Sequence, residues 1–223
     1  MGEADERPQA VFTRIYEQGL WGRSSQAEQT FYSGAGSHDP AVVEPYVRAM
    51  AAYLHFHRLI AGGKPNVVDL GCGDFTVGAK IRPLCGAYVA CDVAAPVIAW
   101  NRERHAGLDV DFRHLDMLVD PLPDGDIVFV RQVLQHLSNA QIAVALKRIA
   151  EKYRFLVLTE HLPAGEGFTP NLDKRSGSDI RLDRGSGVVA TLPPFSLAPT
   201  QTLTICQVAG YGGVIRTELH RLG

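Results

Sequence analysis

The chain has little of what marks most other protein classes. Its 223 residues include only four cysteines, Cys72, Cys85, Cys91 and Cys206. They form no C-x-x-C pair and show no regular spacing, which argues against a disulfide framework or a zinc knuckle and predicts reduced, mostly buried thiols with no metal site. No apolar run approaches the ~20 residues that a membrane span requires. The start, Met1-Gly-Glu-Ala-Asp-Glu-Arg7, is polar and acidic and lacks the pattern of a targeting peptide. A soluble cytoplasmic protein with no membrane partner is therefore expected. Neither sign of charge prevails: the formal net charge is −2, so no general field favours nucleic acid. The densest basic stretch, Arg102, Arg104, His105, Arg113 and His114, is interleaved with Glu103, Asp109, Asp111 and Asp116 and reads as a solvated mixed surface. No repeat or low-complexity tract is visible.

A hydrophobic content of 46% in 223 residues suffices for one good core, and one domain is expected. From Ala10 to about Tyr32 aromatics mix with polar residues as in one short helix followed by loop. Ser33-Gly-Ala-Gly-Ser37 reads as a flexible turn, and Ser37-His-Asp-Pro40 as a helix start, with a capping side chain before a first-turn proline. The next helix is predicted from about Pro40 to Ile60, its apolar face formed by Val43, Val47, Met50, Ala51, Leu54 and Ile60. Strand-like runs then alternate with helix-like ones, which predicts a doubly wound, largely parallel sheet. The strands are expected at 66–70, 87–91, 110–114, 126–131 and 155–160, and the helices near 75–82, 96–105 and 140–152. After Pro163 the pattern lapses for nearly forty residues, and 203–208 with 214–222 suggest a terminal antiparallel hairpin. The fold class is α/β, Rossmann-like, with seven strands. Its expected divisions are an N-terminal helical segment (1–60), a core (61–162), and an insert with the hairpin (163–223).

In such sheets ligands bind beyond the carboxyl ends of the strands. There the chain places Val67-Val-Asp-Leu-Gly-Cys-Gly-Asp-Phe75, an apolar run ending in a glycine-flanked turn, and Tyr88-Val-Ala-Cys-Asp92, whose carboxylate is suited to both hydroxyls of a ribose. An adenosine cofactor is expected. A nicotinamide dinucleotide competes for this pattern, but its Gly-x-Gly-x-x-Gly fingerprint would need glycine where Thr76 stands. Carboxylates at Asp69 and Asp74 would repel a diphosphate, whereas Asp69 would attract a sulfonium. The electrostatics thus favour a cationic cofactor over NAD(P) and an oxidoreductase. Asp116 suits either an adenine amino group or a loop cap.

On these residues the chain resembles the class I S-adenosylmethionine-dependent methyltransferases. The resemblance is to their first motif at Val67–Asp74, with Phe75 in place of the usual third glycine, and to their fourth strand and following loop at Asp126–Leu137. It implies that Asp69, Gly71, Cys72 and Gly73 hold the methionine part of S-adenosylmethionine, Asp92 with Val93 the ribose, and Asp116 with Met117 the adenine, and that Arg131 is also cofactor-binding. S-adenosylhomocysteine would be the product. A weaker resemblance, carried by Trp21-Gly22, the 33–37 turn and Pro193-Pro-Phe195, is to small bacterial methyltransferases of glycans and metabolites. It implies that residues 1–60 form a lid in which Trp21 and Ser37 meet the cofactor; Trp21 reads equally well as a core anchor.

Methyl transfer to a hydroxyl calls for in-line positioning and a group to take the proton. His136 after the fourth strand and His161 just past the fifth are the candidate bases. Arg175 and Arg181 in the insert can hold an acceptor carboxylate or phosphate by forked hydrogen bonds, or can belong to a solvated network with Asp173, Asp179 and Asp183. The expected activity is O-methylation of a small polar acceptor by a monomer or homodimer. A non-catalytic S-adenosylmethionine-binding protein is the alternative from another class.

Overall fold

The structure is a computed structural model and describes residues 6–24, 29–165 and 167–223. Part of the predicted N-terminal loop, 25–28, lies outside the described residues. Seven strands form one sheet: β1 Val67–Leu70, β2 Tyr88–Asp92, β3 Asp111–His114, β4 Ile127–Arg131, β5 Phe155–Pro163, β6 Gln201–Gly210 and β7 Gly213–Arg221. Their order is β3-β2-β1-β4-β5-β7-β6. The pairs from β3 to β5 are parallel, and β7 is antiparallel to both β5 and β6. The order reverses between β1 and β4, so a crevice opens at the carboxyl ends of those two strands. β5 runs through Pro163, so His161 lies within the strand, opposite Ile215, rather than past its end.

The central strands are buried on both faces, which explains their nearly unbroken apolar runs. On one face Val68, Leu70, Val128, Val130, Leu156 and Leu158 meet α1 (Pro8–Gln18) through Val11, Phe12 and Ile15, and α6 (Asn139–Lys152) through Ile142, Leu146 and Ile149. On the other, Val67, Ile127, Phe129 and Val157 meet α3 (Pro40–Ala61) through Val43, Tyr46, Met50 and Leu54, together with Val77 and Ile81 of α4 (Thr76–Ile81). α5 (Ala95–Arg104) adds Ile98 to that second layer.

Local chemistry sets the ends of these elements. Asp39 caps α3 by accepting from the Ala41 amide at 2.9 Å, Pro40 fills its first turn, and Gly62 closes it in the left-handed conformation. Ser138 and Gln141 form a reciprocal capping box on α6. Tyr211 and Gly212, at φ 50° and 76°, make the two-residue turn between β6 and β7, whose positive φ values suit the sheet twist. The predicted flexible turn at 33–37 is instead ordered: Ala35–His38 form a single helical turn, α2. The partners that fix it come from distant parts of the chain, as described next.

Candidate functional site

A cavity of about 320 Å³ lies at the carboxyl ends of β1, β2 and β4, within the range of small-ligand pockets. Its wall includes Asp69, Gly71, Cys72, Gly73, Asp92, Val93, Asp116, Met117 and Arg131, together with Trp21, Ser37, His136 and His161. Arg175 and Arg181 are not part of it.

The turn after β1 is built for close approach. Gly71 and Gly73 have φ of 82° and 56°, and a β-carbon on Gly73 would lie 2.4 Å from Ser33 Oγ. Phe75 has a left-handed backbone at φ 59° where a further glycine would be free of strain. Its ring is fully buried against Tyr88, His105 and Phe112, at centroid distances of 5.5, 5.3 and 4.9 Å. Gly78, one turn on, leaves the space that the ring occupies. The conformation costs about 1–2 kcal/mol, while burying a phenyl ring contributes about 1.5–3 kcal/mol, so the aromatic is tolerated.

Asp92 ties the two strand ends together. Its Oδ2 accepts from the Gly73 amide at 3.0 Å and its Oδ1 from the Ala94 amide at 2.9 Å. Asn101, itself buried, donates to the Gly73 carbonyl at 2.7 Å. Each carboxylate oxygen of Asp92 keeps a second lone pair. Burial raises the pKa of Asp92, against the pull of the backbone amides. Asp69 accepts from Tyr88 Oη at 3.0 Å. Burial pushes its pKa up to about 7, and Tyr88 and Arg131 only partly offset this. A buried carboxyl held there favours a cation beside it. Asp116 is half-exposed and caps its own loop through Leu118 N at 2.9 Å while also lining the cavity.

Sequence reasoning missed the fasteners that close this wall. Asp74 is buried and accepts from Ser33 N at 2.8 Å and from His38 Nε2 at 2.6 Å, and its own amide donates to Ser33 Oγ at 2.8 Å. Burial opposes its ionisation, but the His38 bond and the backbone amides hold its pKa below the usual carboxylate value. Tyr16 of α1 shares a hydrogen bond with Ser33 Oγ at 3.1 Å. Arg131 donates to Gly36 O at 2.7 Å and to Ser37 Oγ at 3.2 Å, and its guanidinium lies 5.0 Å from the centre of the Tyr46 ring. Trp21 lines the cavity, packs 4.9 Å from His136, and donates from Nε1 to Ser178 O at 3.1 Å. None of these pairs is local in sequence, so no pattern announces them.

The insert corrects the expectation for its arginines. Arg181 is fully buried and clamps the loop after β4: Nη1 donates to Leu134 O and Gln135 O, Nη2 to Leu137 O and Asn139 Oδ1, and Nε to Leu172 O. No donor of this forked group is left to face an acceptor. Arg175 is exposed and lies away from the cavity wall. Asp179 is met instead by other cations of the insert, Lys174 Nζ at 3.1 Å and Arg184 Nη2 at 3.9 Å.

His136 Nδ1 lies 3.2 Å from Gly177 O, and its Nε2 lies 3.3 Å from Gln135 Nε2. A carbonyl only accepts, so Nδ1 carries the proton and Nε2 takes the Gln135 amide hydrogen. Burial, with the charge of Lys174, lowers its pKa to about 4. His161 Nε2 donates to Gly210 O at 3.1 Å, and burial lowers its pKa as well. Beneath the same loop Glu160 is buried, with Oε1 accepting from Leu134 N at 3.1 Å and Oε2 unpartnered. Burial raises its pKa from 4.5 to about 8. Because the folded value is the higher one, the folded state holds the proton longer, and stability falls as pH rises from about 4.5 through about 8. Glu160→Gln should therefore gain on the wild type between pH 5 and pH 9, by up to about 4 kcal/mol at ~1.4 kcal/mol per pKa unit. Urea melts at the two pH values check this; parallel shifts of both proteins would show that Glu160 is ionised in the fold.

The chain has counterparts in sequence and fold among known proteins. Residues 67–154 match the family model described as a methyltransferase domain. An uncharacterized methyltransferase of Mycobacterium tuberculosis is 27% identical over 100 residues, which are 42% of this chain and 51% of that protein. The match thus spans about half the length of that curated relative. Among solved structures, the N-methyltransferase NodS from Bradyrhizobium japonicum WM9, in complex with S-adenosyl-L-homocysteine, superposes with a TM-score of 0.62 at 16% identity, covering 94% of this chain and 98% of that one. Magnesium protoporphyrin IX methyltransferase from Synechocystis PCC 6803, with bound S-adenosylmethionine, superposes with a TM-score of 0.61 at 15% identity over the whole of both chains. The fold is that of the class I S-adenosylmethionine-dependent methyltransferases. Within it, residues 67–154 are the stretch that the methyltransferase-domain model describes, from β1 to just past α6.

Proposed function

We propose that this chain is an S-adenosylmethionine-dependent methyltransferase that methylates a hydroxyl of a small polar acceptor such as a metabolite, sugar or natural product. The observation that carries the reading is the convergence of the glycine turn, Asp69 and Asp92 on one cavity, where burial pushes the pKa of Asp69 up to about 7. When bound, the cofactor supplies a methyl group activated by a sulfonium. Asp92 holds the ribose hydroxyls with its spare lone pairs, Asp116 and Met117 border the adenine, and the turn Gly71-Cys72-Gly73 receives the methionine part. The N-terminal segment, with Trp21 and Ser37, covers the site and keeps water out, which favours transfer by proximity.

Of the two histidines, His136 is better suited to orienting Gln135 than to proton transfer, because its free lone pair is already taken. His161 Nδ1 remains as the group to receive the acceptor's proton. We place the enzyme in the cytoplasm, a reading supported by its four free thiols.

Calorimetric titration with S-adenosylhomocysteine, followed by methyl release from labelled S-adenosylmethionine with a hydroxylated-metabolite library, tests the proposal. Binding of NAD in its place would defeat it, and binding without any turnover would leave only a cofactor-binding protein. A pH test is sharper. Ionised Asp69 attracts a sulfonium, so affinity for S-adenosylmethionine should fall by roughly three- to tenfold from pH 8 to pH 6. Affinity for the uncharged thioether of S-adenosylhomocysteine should change much less. Identical pH profiles for the two ligands would remove Asp69 from the sulfonium site.

A further inference from the structure

On the reading just given, the charges in the cavity wall also indicate what kind of acceptor fits. Among the described residues four carboxylates line it, Asp69, Asp74, Asp92 and Asp116, against one guanidinium, Arg131. That guanidinium is already committed to Gly36 O, Ser37 Oγ and the Tyr46 ring, and its Nε is buried without a partner. Among the described residues of the wall, an anionic acceptor would find no uncommitted arginine or lysine.

One polar group in this wall stands apart. Gln132, the first residue past β4, has a left-handed backbone at φ 55°, which is uncommon for any residue but glycine or asparagine. Its amide donates to Thr159 O at 2.7 Å, fixing that conformation. Its carboxamide rests on Gly36, where a β-carbon would come within 2.5 Å of Oε1. The side chain lines the cavity in a position that a β-carbon on residue 36 would displace. Among the described residues no hydrogen bond is made to this carboxamide. Strained backbone that directs an unpaired polar group into a pocket is a mark of function. A carboxamide offers a donor and an acceptor without charge, which is what a hydroxyl matches.

We propose that Gln132 is a specificity-determining residue that hydrogen-bonds the acceptor, and that the acceptor is an uncharged hydroxyl compound rather than a carboxylate or phosphate. The test uses the full chain and matched probes: methyl glucoside against methyl glucuronide, and catechol against dihydroxybenzoate. S-adenosylhomocysteine binding is measured first, since its absence would overturn the methyltransferase reading itself and leave the charge argument without a site. Given binding, the uncharged member of an accepted pair should be methylated with a kcat/KM at least about tenfold higher. Gln132→Ala should lower kcat/KM for that member by about tenfold or more, with S-adenosylhomocysteine affinity within about twofold of wild type. Gln132→Asn, which tolerates the left-handed backbone, should fall between the two and guards against a folding artefact. The proposal is overturned by preference for an anionic member, by silence of all probes from a protein that binds S-adenosylhomocysteine, by unchanged kcat/KM in Gln132→Ala, or by a loss that cofactor affinity shares equally.

Discussion

Arg181→Ala is expected to lower the unfolding free energy by about 3–5 kcal/mol. The side chain is fully buried, and its guanidinium fills the hollow beneath the loop after β4 by donating to four backbone carbonyls and one side-chain amide oxygen. Truncation leaves those oxygens without donors in a site that water cannot easily reach, and it opens a cavity the size of the lost side chain. For a chain of this length the shift corresponds to roughly 10 °C in Tm. Arg181→Lys should recover little of it, because one ammonium with three donors cannot reproduce a planar fork. The same loop carries Gln132, Gln135 and His136, so hydrogen exchange at 134–137 should speed up in the variant well before global unfolding. A melting temperature within about 2 °C of wild type would show that the clamp is dispensable.

The fate of Arg181 shows where the sequence could and could not be read. Strand positions were legible to within a residue or two at most ends, and for the central strands β1, β2 and β4 the reason is burial on both faces, which writes a continuous apolar run. The exception, β5, runs three residues further because β7 pairs with it as far as Pro163. Asp69 and Asp92 were legible for the same reason: a carboxylate inside or ending a buried run has no bland explanation. Arg181 sits in a segment with neither helical nor strand period, and its partners lie 42 to 47 positions away for the β4 loop. From composition alone, a buried clamp and a solvated anion binder look identical. Asp74 illustrates the same limit. Its charge was visible, but the His38 and Ser33 groups that occupy it are supplied by a turn whose glycines suggested flexibility, and which Arg131 and Asp74 hold in place. Phe75 was visibly anomalous, yet the solution, an aromatic ring accommodated by Gly78, depended on contacts with β2 and β3.

Asp92→Ala should reduce affinity for S-adenosylhomocysteine by about 100- to 10,000-fold, from the loss of the two charge-assisted hydrogen bonds to ribose proposed above, at about 1.5–3 kcal/mol each. The structure adds a second consequence. Asp92 also holds the amides of Gly73 and Ala94, so its removal frees the glycine turn and should cost a few degrees in Tm at about 1 kcal/mol per bond. Affinity and stability can be separated with ligands rather than mutants. Wild-type protein should bind adenosine much more tightly than 2′,3′-dideoxyadenosine, whereas Asp92→Ala should bind the two nearly equally, whatever happens to the turn. If loosening of the turn were the whole effect, both nucleosides would weaken in parallel and the discrimination would survive the mutation. If the wild type fails to discriminate at all, the ribose does not lie against Asp92, and the placement of the cofactor along the ends of β1 and β2 falls with it.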